Sequence, residues 1–225
     1  ECAEMDAYPN ALLIAGRQNL TELKPYKKGL FEIQDAGSQT IAPFLQAKPG
    51  DVVIDACAGA GGKTLHLASL MKNQGKIIAM DINTEKLSEL QNRAQRNAVS
   101  IITTEELFEE TLTDYQRFAD ALLLDVPCSG TGVIKRDVDI KWKLKADDLE
   151  DIIALQRQIL STYPCMLKEG GNLVYATCSI LPSENEAQTQ WFLQNFGTQF
   201  ELEAEERLNP SAENDGFYMA RFKKL

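Results

Sequence analysis

The architecture of this chain is set at residues 51–64, which read Asp51-Val52-Val53-Ile54-Asp55-Ala56-Cys57-Ala58-Gly59-Ala60-Gly61-Gly62-Lys63-Thr64. An apolar run typical of a buried strand ends here in a cluster of three glycines, and an amphipathic stretch follows. Glycines let the backbone turn tightly and approach a ligand closely, and the free N–H groups at the start of a helix can hold a carboxylate or a phosphate. The stretch therefore predicts a strand, a ligand-binding loop and a helix, which together begin a βαβ unit.

The same alternation of short apolar runs and longer amphipathic stretches continues along the chain. Strands are predicted at residues 52–54, 76–80, 99–102, 120–124 and 172–176. Helices are predicted at residues 63–72, 84–97, 148–168 and 183–195, and the third is kinked or opened at Pro164. Residues 200–203 and 217–222 are typical of an antiparallel pair. This order predicts an α/β fold with a doubly wound, mostly parallel sheet that closes on a C-terminal antiparallel strand pair.

Length and composition fit one large domain with a small appendage. Of 225 residues, 44% are hydrophobic and 25% are charged, which excludes disordered and collagen-like classes. No apolar run approaches the roughly 18 residues of a membrane span, so we expect a cytoplasmic protein with no membrane partner. Residues 1–35 begin without Met and are interpreted as an extension left from an upstream domain, with residues 36–225 as the main domain.

Charge and cysteine content narrow the possible partners. The net charge of −10 argues against a polyanionic partner. The five cysteines are an odd number with no Cys-x-x-Cys pair, which excludes a disulfide framework and the usual zinc spacing and predicts no metal site. The cysteines are therefore core thiols, or include a reactive thiol in a reducing compartment.

The glycine-rich loop differs from two common nucleotide motifs. A phosphate-binding P-loop needs Gly where Cys57 stands, and the glycine spacing does not fit the dinucleotide-binding Gly-x-Gly-x-x-Gly. Asp81 ends the second strand, where a carboxylate can accept hydrogen bonds from ribose hydroxyls or, alternatively, cap a helix. A cofactor with an adenosine and a short anionic tail fits best, and we predict S-adenosylmethionine. Residues 55–64 are the predicted binding loop for this cofactor.

Two cysteines end neighbouring strands of the predicted sheet. Cys128 follows the fourth strand in Asp125-Val126-Pro127-Cys128, and Cys178 follows the fifth in Thr177-Cys178-Ser179. Either could be a buried filler thiol. A thiolate that adds to carbon 6 of cytosine makes carbon 5 nucleophilic toward a methyl donor, and a carboxyl group such as Asp125 can protonate or hydrogen-bond ring nitrogen 3. A second thiol can assist release, but the residues alone do not rank the two thiols.

Six groups of residues occur in order along the chain: Phe31-Glu32-Ile33-Gln34-Asp35-Ala36-Gly37-Ser38-Gln39, the loop 55–64 with Asp81, Asp125-Val126-Pro127-Cys128-Ser129-Gly130-Thr131-Gly132-Val133-Ile134, Asp139-Ile140-Lys141-Trp142, Tyr175-Ala176-Thr177-Cys178-Ser179 and Asp215-Gly216-Phe217-Tyr218-Met219-Ala220. Through them, residues 30–225 resemble the RsmB/Sun-like family of RNA 5-methylcytosine methyltransferases. The resemblance implies a Rossmann-like class I methyltransferase fold and S-adenosylmethionine as cofactor. It implies RNA as partner, with rRNA as the first candidate and tRNA as the second.

The resemblance also implies roles for single residues. It makes Cys178 the nucleophile and Cys128 the thiol that aids product release. It puts Asp125 near the reacting centre and the cofactor, and Asp81 at the ribose. It also makes the loop residues contacts of the cofactor, namely Cys57, Ala58, Gly59, Ala60, Gly61, Gly62 and Lys63.

The chain departs from the family pattern at two positions. Ala60 stands where the family usually has Pro, and Glu106 falls where an Asp usually contacts adenine. Members commonly carry an N-terminal RNA-binding helical domain, so residues 1–35 are expected to be its remnant or linker and residues 36–225 the catalytic domain.

The negative charge is unevenly distributed along the chain, because residues 135–145 form a basic segment. It contains five Lys or Arg side chains and two Asp side chains, a local balance of +3, together with Trp142. Basic groups for phosphates and an aromatic ring for stacking suit RNA that presents a single-stranded or flipped-out cytosine. A solvated helix face is the alternative. Because the segment follows the Cys128 loop directly, we expect it beside the active site.

Three other functions compete with RNA methylation at carbon 5. A Cys–His hydrolase would need His66, the single histidine, near Cys128 or Cys178. Amino-group methylation would need an Asn/Asp-Pro-Pro-aromatic loop, which Asp125-Val126-Pro127-Cys128 replaces. The main alternative is a catalytically inactive methyltransferase-like module that binds RNA or a protein partner.

Overall fold

The structure is a computed structural model that describes residues 2–14, 16 and 18–225. The strands are β1 (Cys2–Met5), β2 (Tyr8–Ile14), β3 (Val52–Asp55), β4 (Lys76–Asp81), β5 (Ile102–Glu106), β6 (Ala119–Asp125), β7 (Leu167–Thr177), β8 (Phe200–Leu208) and β9 (Phe217–Lys224). The α-helices are α1 (Lys24–Lys27), α2 (Ile41–Phe44), α3 (Gly62–Leu70), α4 (Thr84–Arg96), α5 (Glu109–Asp114), α6 (Ile140–Lys143), α7 (Ala146–Thr162) and α8 (Glu186–Phe196). Short 3₁₀ turns lie at Leu20–Glu22, Ser38–Thr40, Thr131–Val133 and Tyr163–Met166.

Seven strands form one twisted sheet in the order β5-β4-β3-β6-β7-β9-β8. The five strands from β5 to β7 are parallel, and β9 pairs antiparallel with both β7 and β8. The predicted α/β fold with a closing antiparallel pair is confirmed. Strands β1 and β2 form a separate hairpin, which the sequence analysis did not predict within residues 1–35.

Helices cover both faces of the sheet, so the middle of each central strand is apolar, at residues 52–54 of β3 and 121–124 of β6. Ile54 and Leu122 belong to one buried core cluster, whereas Val53 and Leu123 belong to another on the opposite face. Successive side chains of a strand point to opposite faces, and a parallel sheet covered on both sides therefore reads as an unbroken apolar run.

The predicted strand at residues 99–102 is wrong in position, because β5 begins only at Ile102. Helix α4 ends at Arg96, and Ala98 takes a positive φ of 52°, so Val99, Ser100 and Ile101 form the turn into the strand. Strand β5 lies at the edge of the sheet, where one neighbour is missing and polar Thr and Glu side chains are tolerated.

The predicted helix at residues 148–168 ends too late. Helix α7 stops at Thr162, a 3₁₀ turn that contains Pro164 follows, and Lys168 already lies in β7. Proline lacks the N–H group that would continue the helical ladder. The predicted start of the last helix at residue 183 is also wrong, because α8 begins at Glu186.

The strand order puts a crevice at the carboxyl ends of β3 and β6. Connections from β3 run toward β4 on one side, whereas β6 and β7 lie on the other side, so the order reverses between β3 and β6. Open parallel sheets bind ligands at this reversal. In the described part of the chain, no helix is both long and apolar enough to span a bilayer.

Candidate active site

The predicted cofactor loop connects β3 to α3 and turns back under the end of β4. The Ala58 N–H donates to the Met80 carbonyl at 2.9 Å, which ties the loop to β4. Gly61 precedes α3 with a φ of +85°, and a Cβ there would lie 2.4 Å from Leu90 Cγ on α4. Only glycine fits this position, because the backbone conformation and the neighbouring side chain both exclude a larger residue.

The carboxylate of Asp81 supports the loop from the end of β4. One oxygen accepts from the Gly59 N–H at 2.8 Å and the other from the Asn83 N–H at 2.9 Å. Asn83, not Asp81, caps α4, since its side chain accepts from the N–H groups of Glu85 and Lys86. The alternative role of Asp81 as the helix cap is therefore wrong.

Of the two departures from the family pattern, Ala60 lies within this loop and Glu106 lies at the end of β5. Glu106 is the last residue of β5 and pairs in register with Asp81, so both carboxylates end neighbouring strands. The Ala60 carbonyl accepts from Arg93 Nη1 at 2.6 Å, which fixes the turn from the side of α4.

Asp55 is fully buried at the end of β3. Its Oδ2 accepts from the Thr64 hydroxyl at 2.7 Å, whereas Oδ1 has no hydrogen-bond partner within the described residues. Burial raises the pKa of Asp55 to about 7, and the nearby Asp125 carboxylate also raises it. The hydrogen bond from Thr64 lowers this pKa but does not offset the effect of burial. The ionised form is thus disfavoured in the folded protein.

This burial predicts a pH-dependent stability that Asp55→Asn removes. Because the folded-state pKa lies above the unfolded value of 3.8, the folded state binds more protons between those limits, and the free energy of unfolding falls as pH rises through them. The Asp55 contribution to the slope approaches about 1.4 kcal/mol per pH unit. Urea unfolding at several pH values measures it. A variant with the wild-type slope would contradict the assignment.

The two predicted reactive cysteines face each other at the ends of β6 and β7. Cys128 Sγ lies 3.2 Å from Cys178 Sγ, and both side chains are largely buried. The hydrogen bond from Cys128 lowers the pKa of Cys178, and Lys63 acts in the same direction against burial and the Asp125 carboxylate. The same hydrogen bond and burial raise the pKa of Cys128. Cys178 is therefore the thiol that ionises first.

Lys63 connects the cofactor loop to this thiol pair. It is the second residue of α3, and its Nζ lies 2.5 Å from a carboxylate oxygen of Asp125 at the end of β6. Burial opposes the lysine charge, but Asp125 raises the pKa of Lys63 and keeps it protonated. The site therefore presents a fixed cation and a fixed anion beside the Cys178 sulfur.

A cavity of about 360 Å³ opens over these groups. Lys63, Asp125, Cys178, Arg136, Gln34 and Phe217 are among its lining residues. Cys178 lines this cavity and Cys128 does not, although their sulfur atoms lie 3.2 Å apart.

Two lining residues, Gln34 and Asp35, and the buried Asp215, which does not line the cavity, have no individual role predicted from the sequence. Gln34 and Asp35 belong to a motif far upstream of the sheet, and Asp35 Oδ1 accepts from the Asp215 N–H at 3.0 Å. The buried Asp215 carboxylate pairs in turn with Arg136. Their position within two of the six motifs could have identified them, but none of them lies next to a residue of recognisable catalytic chemistry in the sequence.

The remaining reactive side chains lie outside this arrangement. Neither ring nitrogen of His66 hydrogen-bonds to any described residue, and burial lowers its pKa, so the structure holds no Cys–His pair. Burial and neighbouring carboxylates raise the pKa of the Cys57 thiol well above its ordinary value. Among the residues that the structure describes, no group of three His, Cys, Asp or Glu side chains could hold a metal ion.

The basic segment lies beside the Cys128 loop, as expected. A Cβ on Gly130 would contact Ile140 Cδ1 at 3.0 Å, so α6 packs directly on that loop. Trp142 projects from α6 with 79% of its surface exposed, and Lys141 Nζ lies 5.2 Å from the centre of its ring. The segment thus brings Arg136 into the cavity lining and an exposed aromatic face to the helix packed on the Cys128 loop.

Comparisons with known proteins match most of the chain. The family model "16S rRNA methyltransferase RsmB/F" covers residues 42–223. A Synechocystis protein named "Probable ribosomal RNA small subunit methyltransferase B" is 36% identical over 194 residues, which cover 85% of this chain and 44% of that protein. "Ribosomal RNA small subunit methyltransferase B" of Escherichia coli is 34% identical, covering 96% of this chain and 52% of that protein. The chain spans about half the length of these relatives.

Solved structures agree with this family in fold. The crystal structure of NSun6 from Pyrococcus horikoshii with SFG superposes with a TM-score of 0.83 and 30% identity, over 92% of this chain and 56% of that one. A methyltransferase homolog protein from Pyrococcus horikoshii gives a TM-score of 0.85 and 31% identity, over 100% of this chain and 78% of that one.

Proposed function

Because this chain belongs to the 16S rRNA methyltransferase RsmB/F family, we propose that it methylates carbon 5 of a cytosine in RNA through a covalent bond to Cys178. The observation that carries the proposal is the thiol pair, 3.2 Å apart, beside the Lys63–Asp125 ion pair. The relatives are named for ribosomal RNA, so rRNA is the first candidate substrate and tRNA the second. We expect the protein to act in the cytoplasm.

The residues of the first βα loop suit S-adenosylmethionine. The first helical hydrogen bond of α3 runs from the Leu65 N–H to the Gly61 carbonyl, so the N–H groups before it remain available to a carboxylate. Asp81 and Glu106 end adjacent strands and offer acceptors for an adenosine. NSun6 was crystallised with SFG, an analogue of S-adenosylmethionine. When bound, S-adenosylmethionine supplies a methyl group on a positively charged sulfur.

Cys178 is the nucleophile because only its thiolate is both stabilised and accessible. The hydrogen bond with Cys128 and the positive charge of Lys63 both lower its pKa, and Cys178 lines the cavity. A thiolate is the reactive form of cysteine. Its attack on carbon 6 of cytosine pushes electron density to carbon 5, which then bonds to the methyl group.

Asp125 and Lys63 orient the base for this attack. The carboxylate can accept a hydrogen bond from the exocyclic amine of cytosine, and the ammonium group can donate to a ring nitrogen or carbonyl. The pair also holds charge fixed where it develops in the ring, which stabilises the adduct without reorganisation. Once the carbon-5 proton has passed to a water molecule, its electron pair re-forms the double bond between carbons 5 and 6, and the C6–S bond breaks. The Cys178 sulfur leaves as a thiolate, which the hydrogen bond from Cys128 stabilises again.

Direct detection of the product tests the proposed function. The protein is incubated with transcribed small-subunit rRNA and methyl-labelled S-adenosylmethionine, and the digested nucleosides are identified by mass spectrometry. We expect labelled 5-methylcytidine. A methyltransferase-like binding module would bind cofactor or RNA and release no methylated nucleoside.

Replacing Asp81 with alanine will weaken S-adenosylmethionine binding by at least about tenfold, because hydrogen bonds to a charged acceptor contribute about 1.5–3 kcal/mol. The loss of the Gly59 contact adds to the effect. Isothermal titration calorimetry measures the dissociation constant. Asp51→Ala is the control, because Asp51 lies at the amino end of β3, whereas the cofactor loop follows its carboxyl end. This variant should leave the affinity unchanged. If Asp81→Ala bound S-adenosylmethionine as tightly as the wild type does, the cofactor would not bind at Asp81.

Replacing Trp142 with alanine will weaken binding of single-stranded RNA by about tenfold, because one stacked base contributes about 1–3 kcal/mol. Trp142→Phe keeps an aromatic face and should bind nearly as the wild type does. Fluorescence anisotropy with a labelled oligonucleotide compares the three proteins. If alanine and phenylalanine behave alike, the ring is a solvated side chain and the stacking role is wrong.

A further inference from the structure

A fully buried carboxylate, Glu184, lies between β7 and α8 and has no part in the function proposed above. Its oxygens accept four hydrogen bonds, which come from the Ser129 N–H at 2.8 Å, the Ser129 hydroxyl at 2.5 Å, the Ser179 hydroxyl at 2.5 Å and Gln156 Nε2 at 3.1 Å. Burying a carboxylate costs several kcal/mol unless it is fully hydrogen-bonded. The donors here are built to compensate that cost.

Three of the four hydrogen bonds come from the two loops that carry the reactive thiols, and the fourth comes from Gln156 of α7. Ser129 directly follows Cys128, and Ser179 directly follows Cys178. One carboxyl group therefore bonds to the residue after each cysteine. Further bonds run between the same loops, from the Gly132 N–H to the Cys178 carbonyl at 2.9 Å and between the Thr131 and Ser179 hydroxyls at 3.0 Å.

The thiol contact needs such a restraint because the cysteines lie in connections and not within the sheet. Strand β6 ends at Asp125 and β7 ends at Thr177, so the backbone ladder stops before either cysteine. Hydrogen bonds of thiols are weak, and the 3.2 Å contact cannot hold two loops together by itself. Gln156 of α7 also donates to the Pro127 carbonyl at 3.0 Å, which fixes the Cys128 loop from a third element.

We propose that Glu184 is a positioning residue of the two-cysteine site, whose carboxylate holds the Cys128 and Cys178 loops together so that the Cys128 thiol stays within hydrogen-bond distance of the Cys178 sulfur. The proposal deepens the proposed function and rests on it only in taking these two thiols as the reacting pair. Glu184 touches neither substrate nor cofactor and acts through Cys128.

The test measures the ionisation of Cys178 in the protein without RNA or cofactor. The rate of alkylation by iodoacetamide is followed from pH 6 to pH 10 through the Cys178 peptide in a mass spectrometer, for wild type, Glu184→Gln, Cys128→Ala and the double variant. Glu186→Gln is the matched control, because Glu186 lies two residues on, is part-exposed and pairs with Arg207. Thermal unfolding confirms that each variant is folded.

We expect the midpoint of the pH profile to rise by about one unit in Glu184→Gln and in Cys128→Ala, since one hydrogen bond to a charged group has about that effect. The double variant should show no further rise, and Glu186→Gln should match the wild type. A folded Glu184→Gln with the wild-type midpoint would overturn the proposal. So would a rise of the same size in the Cys128→Ala background, because Glu184 would then act independently of Cys128.

A milder variant covers the case in which Glu184→Gln does not fold. Ser179→Ala removes one donor and leaves the carboxylate with three, and the midpoint should rise in the same direction; an unchanged midpoint would overturn the proposal. Since the readout uses neither RNA nor methyl donor, a positive result without any 5-methylcytidine would reject the proposed function and keep the role of Glu184.

Discussion

Replacing Cys178 with alanine will reduce methyl transfer by at least about 10³-fold, as expected when the nucleophile of a covalent mechanism is lost. Cofactor binding should be unchanged, because the loop between β3 and α3 does not depend on the Cys178 side chain. Methylated cytidine per protein, measured by mass spectrometry, gives the rate, and calorimetry gives the cofactor affinity.

Cys165→Ala is the matched control for this variant. Cys165 is also part-buried, but its thiol donates to the Leu112 carbonyl on the α5 side of the fold, away from the cavity. Its loss should leave turnover within a factor of about two. Turnover by Cys178→Ala within tenfold of the wild type would show that another group attacks the base.

Replacing Cys128 with alanine will trap the protein on its RNA. The nucleophile remains, so the first methyl transfer proceeds, but Cys178 leaves the product without the hydrogen bond that stabilises its thiolate. A slow leaving group makes release limiting, so a covalent protein–RNA complex should accumulate and multiple turnover should fall at least about tenfold. Denaturing gel electrophoresis with labelled RNA detects the complex.

The double variant Cys128→Ala/Cys178→Ala identifies the attachment point, because it should form no complex. Proteolysis of the trapped complex should locate the modified base on the Cys178 peptide. Full multiple turnover by Cys128→Ala, with no complex on the gel, would reject the release role. A complex formed by the double variant would reject Cys178 as the attachment point.

The sequence predicted the parts of the fold that follow from local periodicity. The apolar strands at the centre of the sheet and the start of α4 at residue 84 were correct, because burial on both faces and helix initiation depend on a few neighbouring residues. Strand β5 was misplaced because an edge strand carries polar residues that mimic a loop. The last residues of the predicted long helix belong to β7, whose first part contains Gly170 and Gly171 and resembles a turn in sequence.

The candidate site was predictable only where chemistry lies next to the end of a strand. Cys128 and Cys178 could be paired because neighbouring parallel strands end at one edge. The residues alone did not rank them, and only the family resemblance did. The lowered pKa by which we propose that Cys178 is selected depends on a hydrogen bond between residues 50 positions apart and on Lys63 from a third element. Glu184 was missed for the same reason. A glutamate in a loop is normally predicted to be exposed to solvent, and its burial becomes evident only from the donors that the fold brings to it.

The reversal of strand order between β3 and β6 has a consequence for how members of such a family can diverge. The groups proposed for the methyl donor come from residues 55–106, and the thiols and Asp125 come from residues 125–178. The residues proposed for the methyl donor and those proposed for the methylated base thus lie in consecutive halves of the chain. The Lys63 side chain connects the two halves through its ion pair with Asp125. Inheritance of the second half from a different ancestor would exchange the acceptor nucleobase while the donor stays the same, provided that residue 63 keeps its partner.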